Sequence, residues 1–347
     1  MEKILVTTSS ENYQVTIGPD LLKMASDFTG VKLHAFSKVA ILTDTTVDPL
    51  YSNTLISSLN STQCAVYKYI IPSGERSKSI IQYEKILNFL ADNNFTRQDV
   101  LLALGGGVVG DLGGFVAATF KRGINYIQVP TTLLSMIDSS VGGKTGINLS
   151  SGKNFVGAFY QPRSVIADTN TLKTLPAIEL INGLGELIKY GILAGYNIFS
   201  AITKDNYLSQ ETLAKCIQYK AEIVRIDEKE KNQRMLLNLG HTIGHAIERL
   251  SEYTIPHGLA VGIGISIIAK ACYKNSLLSK SDYLKISDCL TIFNIPLESE
   301  FDMKSLINAS LGDKKVINNN FNLVIIRQIG VCEILPLSLD DFREFFL

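Results

Sequence analysis

Neither sign of charge is in excess in this sequence: 33 Lys and Arg face 33 Asp and Glu, a formal net charge of zero at pH 7. That balance removes the electrostatic footprint expected of a nucleic-acid or membrane-surface partner. Any anionic ligand must therefore be met by a local cluster of bases. Long hydrophobic runs are missing too. The longest, Leu259 to Ala269, has 11 residues and stops at Lys270, about half of the roughly 20 that a membrane span needs, so it reads as a buried helix. The opening Met-Glu-Lys-Ile-Leu-Val-Thr-Thr lacks the apolar stretch of a secretory signal. The five cysteines are odd in number and form no CxxC, which argues for reduced, mostly buried thiols and a cytoplasmic protein. There is no internal repeat and no low-complexity linker. Histidine is scarce, with four in the chain.

What is present fits a well-packed globular protein: 347 residues, 46% hydrophobic and 19% charged, enough for about two domains. The first half alternates strand-like and helix-like segments. Val39–Asp44, Val66–Ile71, Val100–Leu104 and Tyr126–Val129 are short apolar runs closed by turn residues, as buried parallel strands are. Ser79 to Asp92 and the segment running through Ala118 have helical character. An α/β domain with a parallel sheet is expected over residues 1–177. Beyond Pro176 the segments Glu179–Leu193, Gln210–Glu230, Arg234–Leu250, Gly258–Tyr273 and Ser281–Phe293 read as helices, with Pro256 and Pro296 between them. A mainly α-helical domain is expected over 178–347, and the cleft between the two is the default site.

The densest chemistry lies in Asn238-Leu-Gly-His241-Thr-Ile-Gly-His245, which holds two of the four histidines one helical turn apart; His257 follows. Read as one helix, the segment also aligns Glu230, Arg234 and Asn238 with them at steps of 4, 4, 3 and 4. A face that should be core is polar, which costs several kcal/mol unless its groups pair or bind something. Glu186 and Lys189 share one face of another helix. A Glu with two His is a three-ligand metal set that leaves a position open for substrate. Spacing leaves two options: His241 and His245 both ligate, or one binds metal while the other handles protons. His34 stands in an apolar context and reads as structural.

Gly105-Gly-Gly107-Val108-Val109-Gly110-Asp111 follows a strand and opens a helix, the arrangement of a phosphate-binding turn. The acid usual about 20 residues later is missing, so the nucleotide fold is atypical, and Asp44, at an earlier strand end, is the candidate for the ribose hydroxyls. Ser73-Gly-Glu-Arg-Ser-Lys78 is a turn into a helix. Asp138 to Gly146 and Gly152-Lys153-Asn154 read as Gly-rich turns whose lysines, Lys144 and Lys153, suit phosphate or carboxylate, with Arg122 a further base.

These motifs, in this order, resemble 3-dehydroquinate synthase: GGGVVGD at 105–111, VPTTLLSMIDSSVGGKTGIN at 129–148, GKNFVGAFYQP at 152–162, GELIKYG at 185–191 and NLGHTIGHAIE at 238–248. The resemblance runs from Ser73 to about Asp313. It implies an NAD- and metal-dependent lyase of the shikimate pathway, usually a homodimer, that turns 3-deoxy-D-arabino-heptulosonate 7-phosphate into 3-dehydroquinate and phosphate. By the same resemblance Glu186, His241 and His257 hold one divalent metal, Zn²⁺ or Co²⁺, and His245 faces the substrate. NAD contacts are implied at Asp44, Ser73, Gly74, Glu75, Arg76, Ser77, Lys78, Gly107, Val108, Val109, Gly110, Asp111, Thr131, Thr132, Asp138, Lys144, Lys153, Thr171, Leu172, Lys173 and Thr174. Substrate contacts are implied at Arg122, Lys144, Lys153, Asn154, Lys189, Lys220, Arg234, Asn238, His245 and a lysine of the Lys314-Lys315 pair. The chain departs from the family twice. Leu259 stands where a Glu usually follows the last ligand histidine, an expected orienting position, and Gly185 stands where alanine is common. Competing readings are a different sugar phosphate cyclase or a polyol dehydrogenase of the same superfamily, which differ in ring product or in accumulating NADH; a zinc hydrolase, indifferent to NAD; and a nucleotide-binding module, which needs no metal ligands.

Overall fold

A computed structural model of the chain describes residues 1–28, 38–311 and 320–347. His34, Lys314 and Lys315 lie outside the described residues. The chain divides into two units, Met1–Leu175 with Lys220–Glu228, and Pro176–Tyr219 with Lys229–Leu347.

The first unit contains β1 (Glu2–Thr7), β2 (Asn12–Gly18), β3 (Lys38–Asp44), α1 (Asn53–Leu59), β4 (Ala65–Ile71), α2 (Ile80–Asp92), β5 (Val100–Gly105), α3 (Gly107–Thr119), β6 (Asn125–Pro130), β7 (Lys144–Leu149), β8 (Gly152–Phe159) and β9 (Ser164–Asp168). Seven strands form one sheet in the order β1-β2-β9-β6-β5-β3-β4. It is parallel except for the β1–β2 hairpin. The uninterrupted apolar runs follow from cover on both faces. On one face Ala40, Leu42, Leu101, Ala103 and Tyr126 pack with α2 and α3; on the other Val39, Ile41, Val100, Leu102, Leu104, Ile127 and Val129 pack with α1 and the turn at Leu21–Ala25. Alternate residues of one strand thus supply two cores. The segments read as Gly-rich turns differ from expectation: Lys144 and Gly152-Lys153-Asn154 belong to the antiparallel β7–β8 hairpin. Glycine lets that pair close, since a Cβ on Gly157 would stand 2.1 Å from the Thr145 carbonyl oxygen.

The second unit contains α4 (Ala177–Ala194), α5 (Tyr196–Phe199), most of α6 (Gln210–Ile226), α7 (His241–Leu250), α8 (His257–Lys274), α9 (Lys280–Ile292), α10 (Met303–Leu311), β10 (Asn320–Gln328), β11 (Val331–Ser338) and α11 (Leu339–Phe346). The β10–β11 hairpin is an addition to the helical unit that periodicity did not reveal. The long helix expected over Arg234–Leu250 is not one helix. Gln233–Asn238 forms a 3₁₀ segment, Gly240 turns left-handed at φ +82°, and α7 begins at His241. Glu230 also has positive φ, +54°. Hence Glu230, Arg234 and Asn238 are not on the helix that carries His241 and His245. The break has a packing cause: a Cβ on Gly240 would lie 2.6 Å from the Val261 carbonyl oxygen of α8.

The end of α6 is tied into the first unit by two charges. The Lys220 ammonium pairs with Asp138. Glu228, 7% exposed, accepts hydrogen bonds from the Ser9 and Ser10 hydroxyls and, at 2.9 Å, from Gln161 Nε2. Burial pushes this carboxyl up, but the Ser10, Ser9 and Gln161 donors outweigh it and hold it down at about 2. A depressed carboxyl stabilises the fold above its unfolded value and loses that contribution as pH falls toward the folded one. The shift from 4.5 sets an upper bound of about 3 kcal/mol at neutral pH. Glu228→Gln is therefore expected to lower the denaturant midpoint at pH 7, with the gap to wild type shrinking by more than half near pH 3. A gap independent of pH would refute the ionic origin.

Candidate active site

In the second unit α4 supplies Glu186 and Lys189, α7 supplies His241 and His245, and the first residue of α8 is His257. Glu186 Oε1 lies 3.5 Å from His241 Nε2 and 3.3 Å from His257 Nε2. One donor atom from each of Glu186, His241 and His257 falls within 4.8 Å of the others. Both of these histidines have their Nδ1 engaged. That of His241 is 3.1 Å from the Leu239 carbonyl oxygen, and that of His257 is 2.9 Å from Glu248 Oε2. Outer acceptors of this kind fix the ring and leave Nε2 for a metal. Burial, the Lys189 charge and the neighbouring histidines push His241 well down, toward the neutral state a ligand requires. Burial also opposes charge on His257, yet the Glu186 and Glu248 carboxylates override it and raise the ring to about 10. A proton and a metal cation compete for the same nitrogen. The donor set fits one divalent ion of borderline softness.

His245 stands beside this triad, its ring centroid 5.4 Å from His241 and 5.8 Å from His257. Its Nδ1 or Nε2 also forms a second, overlapping group with Glu248 and His257. The Lys189 ammonium pairs with Glu186, both essentially buried, and sits 4.8 Å from the Tyr190 ring centroid. Arg234 is 1% exposed. Asn238 Nδ2 donates to Glu230 Oε1 at 2.9 Å.

In the first unit, no side chain caps α3 at Gly106, so its first-turn amides suit an anion. A Cβ on Gly106 or Gly107 would press on Thr132 or Ser139 at 3.1 and 3.2 Å. Beside them the buried Thr131 Oγ1 has no hydrogen-bond partner among the described residues. An uncapped helix start, a cradle that Cβ atoms would fill and an orphaned hydroxyl fit a dinucleotide pyrophosphate. Gly110 has a packing task as well, because its Cβ would meet Gln128 Oε1 of β6 at 2.9 Å; it sets how closely the helix approaches the sheet.

Several named residues converge. Lys78, 5% exposed, donates to Asp111 and Asn154 at 2.5 Å each. Glu75 accepts from Asn148, which in turn accepts from the Asn154 amide. The Ser73–Lys78 turn is thereby joined to the β7–β8 hairpin. Gly74 needs its φ of +100°. Asp44 caps its own turn through the amides of Thr46 and Val47, and Thr171 and Thr174 meet Tyr51. Arg122 is exposed at φ +67°, next to Lys121 at +53°; two successive non-glycine residues there are strained, as functional loops often are. Sequence reasoning missed Glu248, although it lies two helical turns from His241 and closes the motif. It takes the orienting task expected of the position now held by Leu259.

The chain is similar, over 98% of its length and 97% of the other's, at a TM-score of 0.85 and 23% identity, to ValA (2-epi-5-epi-valiolone synthase) from Streptomyces hygroscopicus with NAD⁺ and Zn²⁺ bound. Over 99% of both chains it is similar, at 0.87 and 24%, to 2-deoxy-scyllo-inosose synthase complexed with carbaglucose-6-phosphate, NAD⁺ and Co²⁺. The chain shares its fold with these two enzymes. Residues 68–182 match the 3-dehydroquinate synthase N-terminal family model and 183–316 the C-terminal one. The chain is 40% identical over 346 residues to the 3-dehydroquinate synthase of Aliivibrio fischeri, covering 96% of this chain and 95% of that one. It belongs to the 3-dehydroquinate synthase family.

Proposed function

We propose that this protein converts 3-deoxy-D-arabino-heptulosonate 7-phosphate into 3-dehydroquinate and inorganic phosphate within the shikimate pathway. The observation that carries the reading is the convergence of Glu186, His241 and His257, each histidine oriented by an outer acceptor, in a chain of this family. When bound, NAD supplies a reversible hydride acceptor and the divalent ion, Zn²⁺ or Co²⁺, supplies Lewis acidity for alcohol oxidation and aldol closure. Glu186, His241 and His257 hold the ion. The α3 start at Gly107 to Asp111, Thr131, Thr132, the Ser73–Lys78 turn, Asp44, Asp138, Lys144, Lys153 and Thr171 to Thr174 hold the dinucleotide.

A phosphate and a carboxylate need several bases in a protein of zero net charge. Arg122, Lys144, Asn154, Lys189, Lys220, Arg234 and Asn238 are assigned to them, with Lys314 or Lys315. Next to the transient ketone a C–H bond becomes acidic, and the phosphate leaves by β-elimination. His245 and Lys153 position that phosphate, which takes the proton itself, so little dedicated base strength is required. No helix among the described residues is long and apolar enough to cross a membrane. A cytoplasmic homodimer without a nucleic-acid partner completes the reading.

Phosphate release from the heptulosonate phosphate tests it. Activity should require NAD and vanish with a chelator, with no NADH accumulating at steady state. Turnover that survives both omissions, once bound NAD and metal are removed, overturns the reading; stoichiometric NADH marks a polyol dehydrogenase instead.

A further inference from the structure

The N-terminus of α8, which presents His257, has no cap of its own. Its N-cap residue is Pro256, which offers no side-chain acceptor, and the first amides of a helix lack partners within it. The acceptor comes from another helix: Asn182 Oδ1 of α4 accepts the Gly258 amide at 2.6 Å. Beneath this bond the two helices touch backbone to backbone. A Cβ on Gly258 would lie 1.7 Å from the Asn182 carbonyl oxygen, and one on Gly185 would lie 1.7 Å from the Gly258 carbonyl oxygen. Neither oxygen can rotate away. Glu186 directly follows Gly185, and His257 directly precedes Gly258.

We propose that the Asn182–Gly185–Gly258 contact is a positioning device for the metal site, with Asn182 as the positioning residue that holds Glu186 and His257 at ligating separation. A capping bond donated across the helix pair fixes the height of His257 along α4. The missing Cβ atoms fix how near the helices come. Gly185 is then an adjustment of this chain, allowing an approach that alanine forbids. Among the described residues Asn182 makes no hydrogen bond to the side chain of Glu186 or His257; its bonds go to Glu179 and the Gly258 amide, so it acts through the backbone that carries them.

The inference rests on the metal reading above, and one experiment separates the two. The metal-free full-length enzyme is titrated with Co²⁺ and followed by its visible ligand-field bands, for wild type, Asn182→Ala, Asn182→Asp and Gly262→Ala. Gly262 lies on the same helix, but its Cβ would meet the Ile295 side chain at 2.9 Å, which can shift. Asn182→Ala is expected to weaken Co²⁺ binding by about tenfold or more and to alter the bands, as loss of an orienting partner does, while cooperative melting persists. Asn182→Asp keeps an acceptor at the helix start and restores affinity to within about threefold. Gly262→Ala leaves affinity and bands unchanged. Wild-type affinity and bands in Asn182→Ala overturn the proposal, as does an equal loss in Gly262→Ala. A wild-type enzyme that binds no stoichiometric Co²⁺ overturns the metal reading itself.

Discussion

Replacing Glu186 by glutamine is expected to empty the metal site and cut phosphate release by about 10³-fold or more, the scale at which a metal-assisted step loses its Lewis acid. Glutamine fills the same space, so the loss is one of charge. The two remaining donors are imidazoles, and a dication set between them without a carboxylate is poorly held. A second consequence follows from Lys189. Its ammonium pairs with Glu186 in a setting where both side chains are at most 2% exposed. Removing the carboxylate from such a buried pair weakens the compensation of the Lys189 charge, at a cost of up to about 3–5 kcal/mol, so Glu186→Gln should also lower thermal stability. Adding Lys189→Met removes the under-compensated charge and should return part of the stability without returning metal or activity. Metal content, phosphate release and melting temperature are the readouts. A single variant that retains stoichiometric metal would exclude Glu186 as a ligand.

His245→Ala is expected to slow turnover by about 10²-fold while metal content stays at the wild-type level. His245 is one turn beyond His241 on α7 and within 5.8 Å, centroid to centroid, of both other rings, so proximity alone does not exclude it as a ligand. The distinction lies in Glu186, whose Oε1 faces the Nε2 atoms of His241 and His257, so that those two rings share one candidate ion site with it. Affinity for the metal, kcat and the pH dependence of kcat in the variant separate the two roles. Loss of metal would make His245 a ligand; loss of turnover with metal retained makes it the group that handles the leaving phosphate.

Much of this was legible before any coordinates. The β3, β5 and β6 strands show as apolar runs because both faces of the sheet are covered, and α2 begins at Ser79, whose hydroxyl caps it; α9 begins at Lys280, capped by Ser279, one residue before the expected Ser281. The ligand types and their order along the chain are sequence facts. The polar stripe from Glu230 to His245 was misread as one helix, since period counting sees spacing and not the crowding at Val261 that turns the chain at Gly240. The β10–β11 hairpin was missed although Leu323–Ile326 is a buried apolar run, because a short apolar run by itself does not separate a strand from a buried helix segment.

The amino-acid sequence alone determined the family, the metal-capable residues and the absence of net charge, since these are properties of residue identity and order. Tertiary structure alone decided which atoms of those residues face one another. Glu248 orients His257 where Leu259 has no polar group to offer, Asn182 caps a helix 75 residues downstream, from His257 onward, and Gly185 matters only because α8 lies against it. Each of these is a short-range force between residues far apart in the chain, and it exists only once the helices have packed.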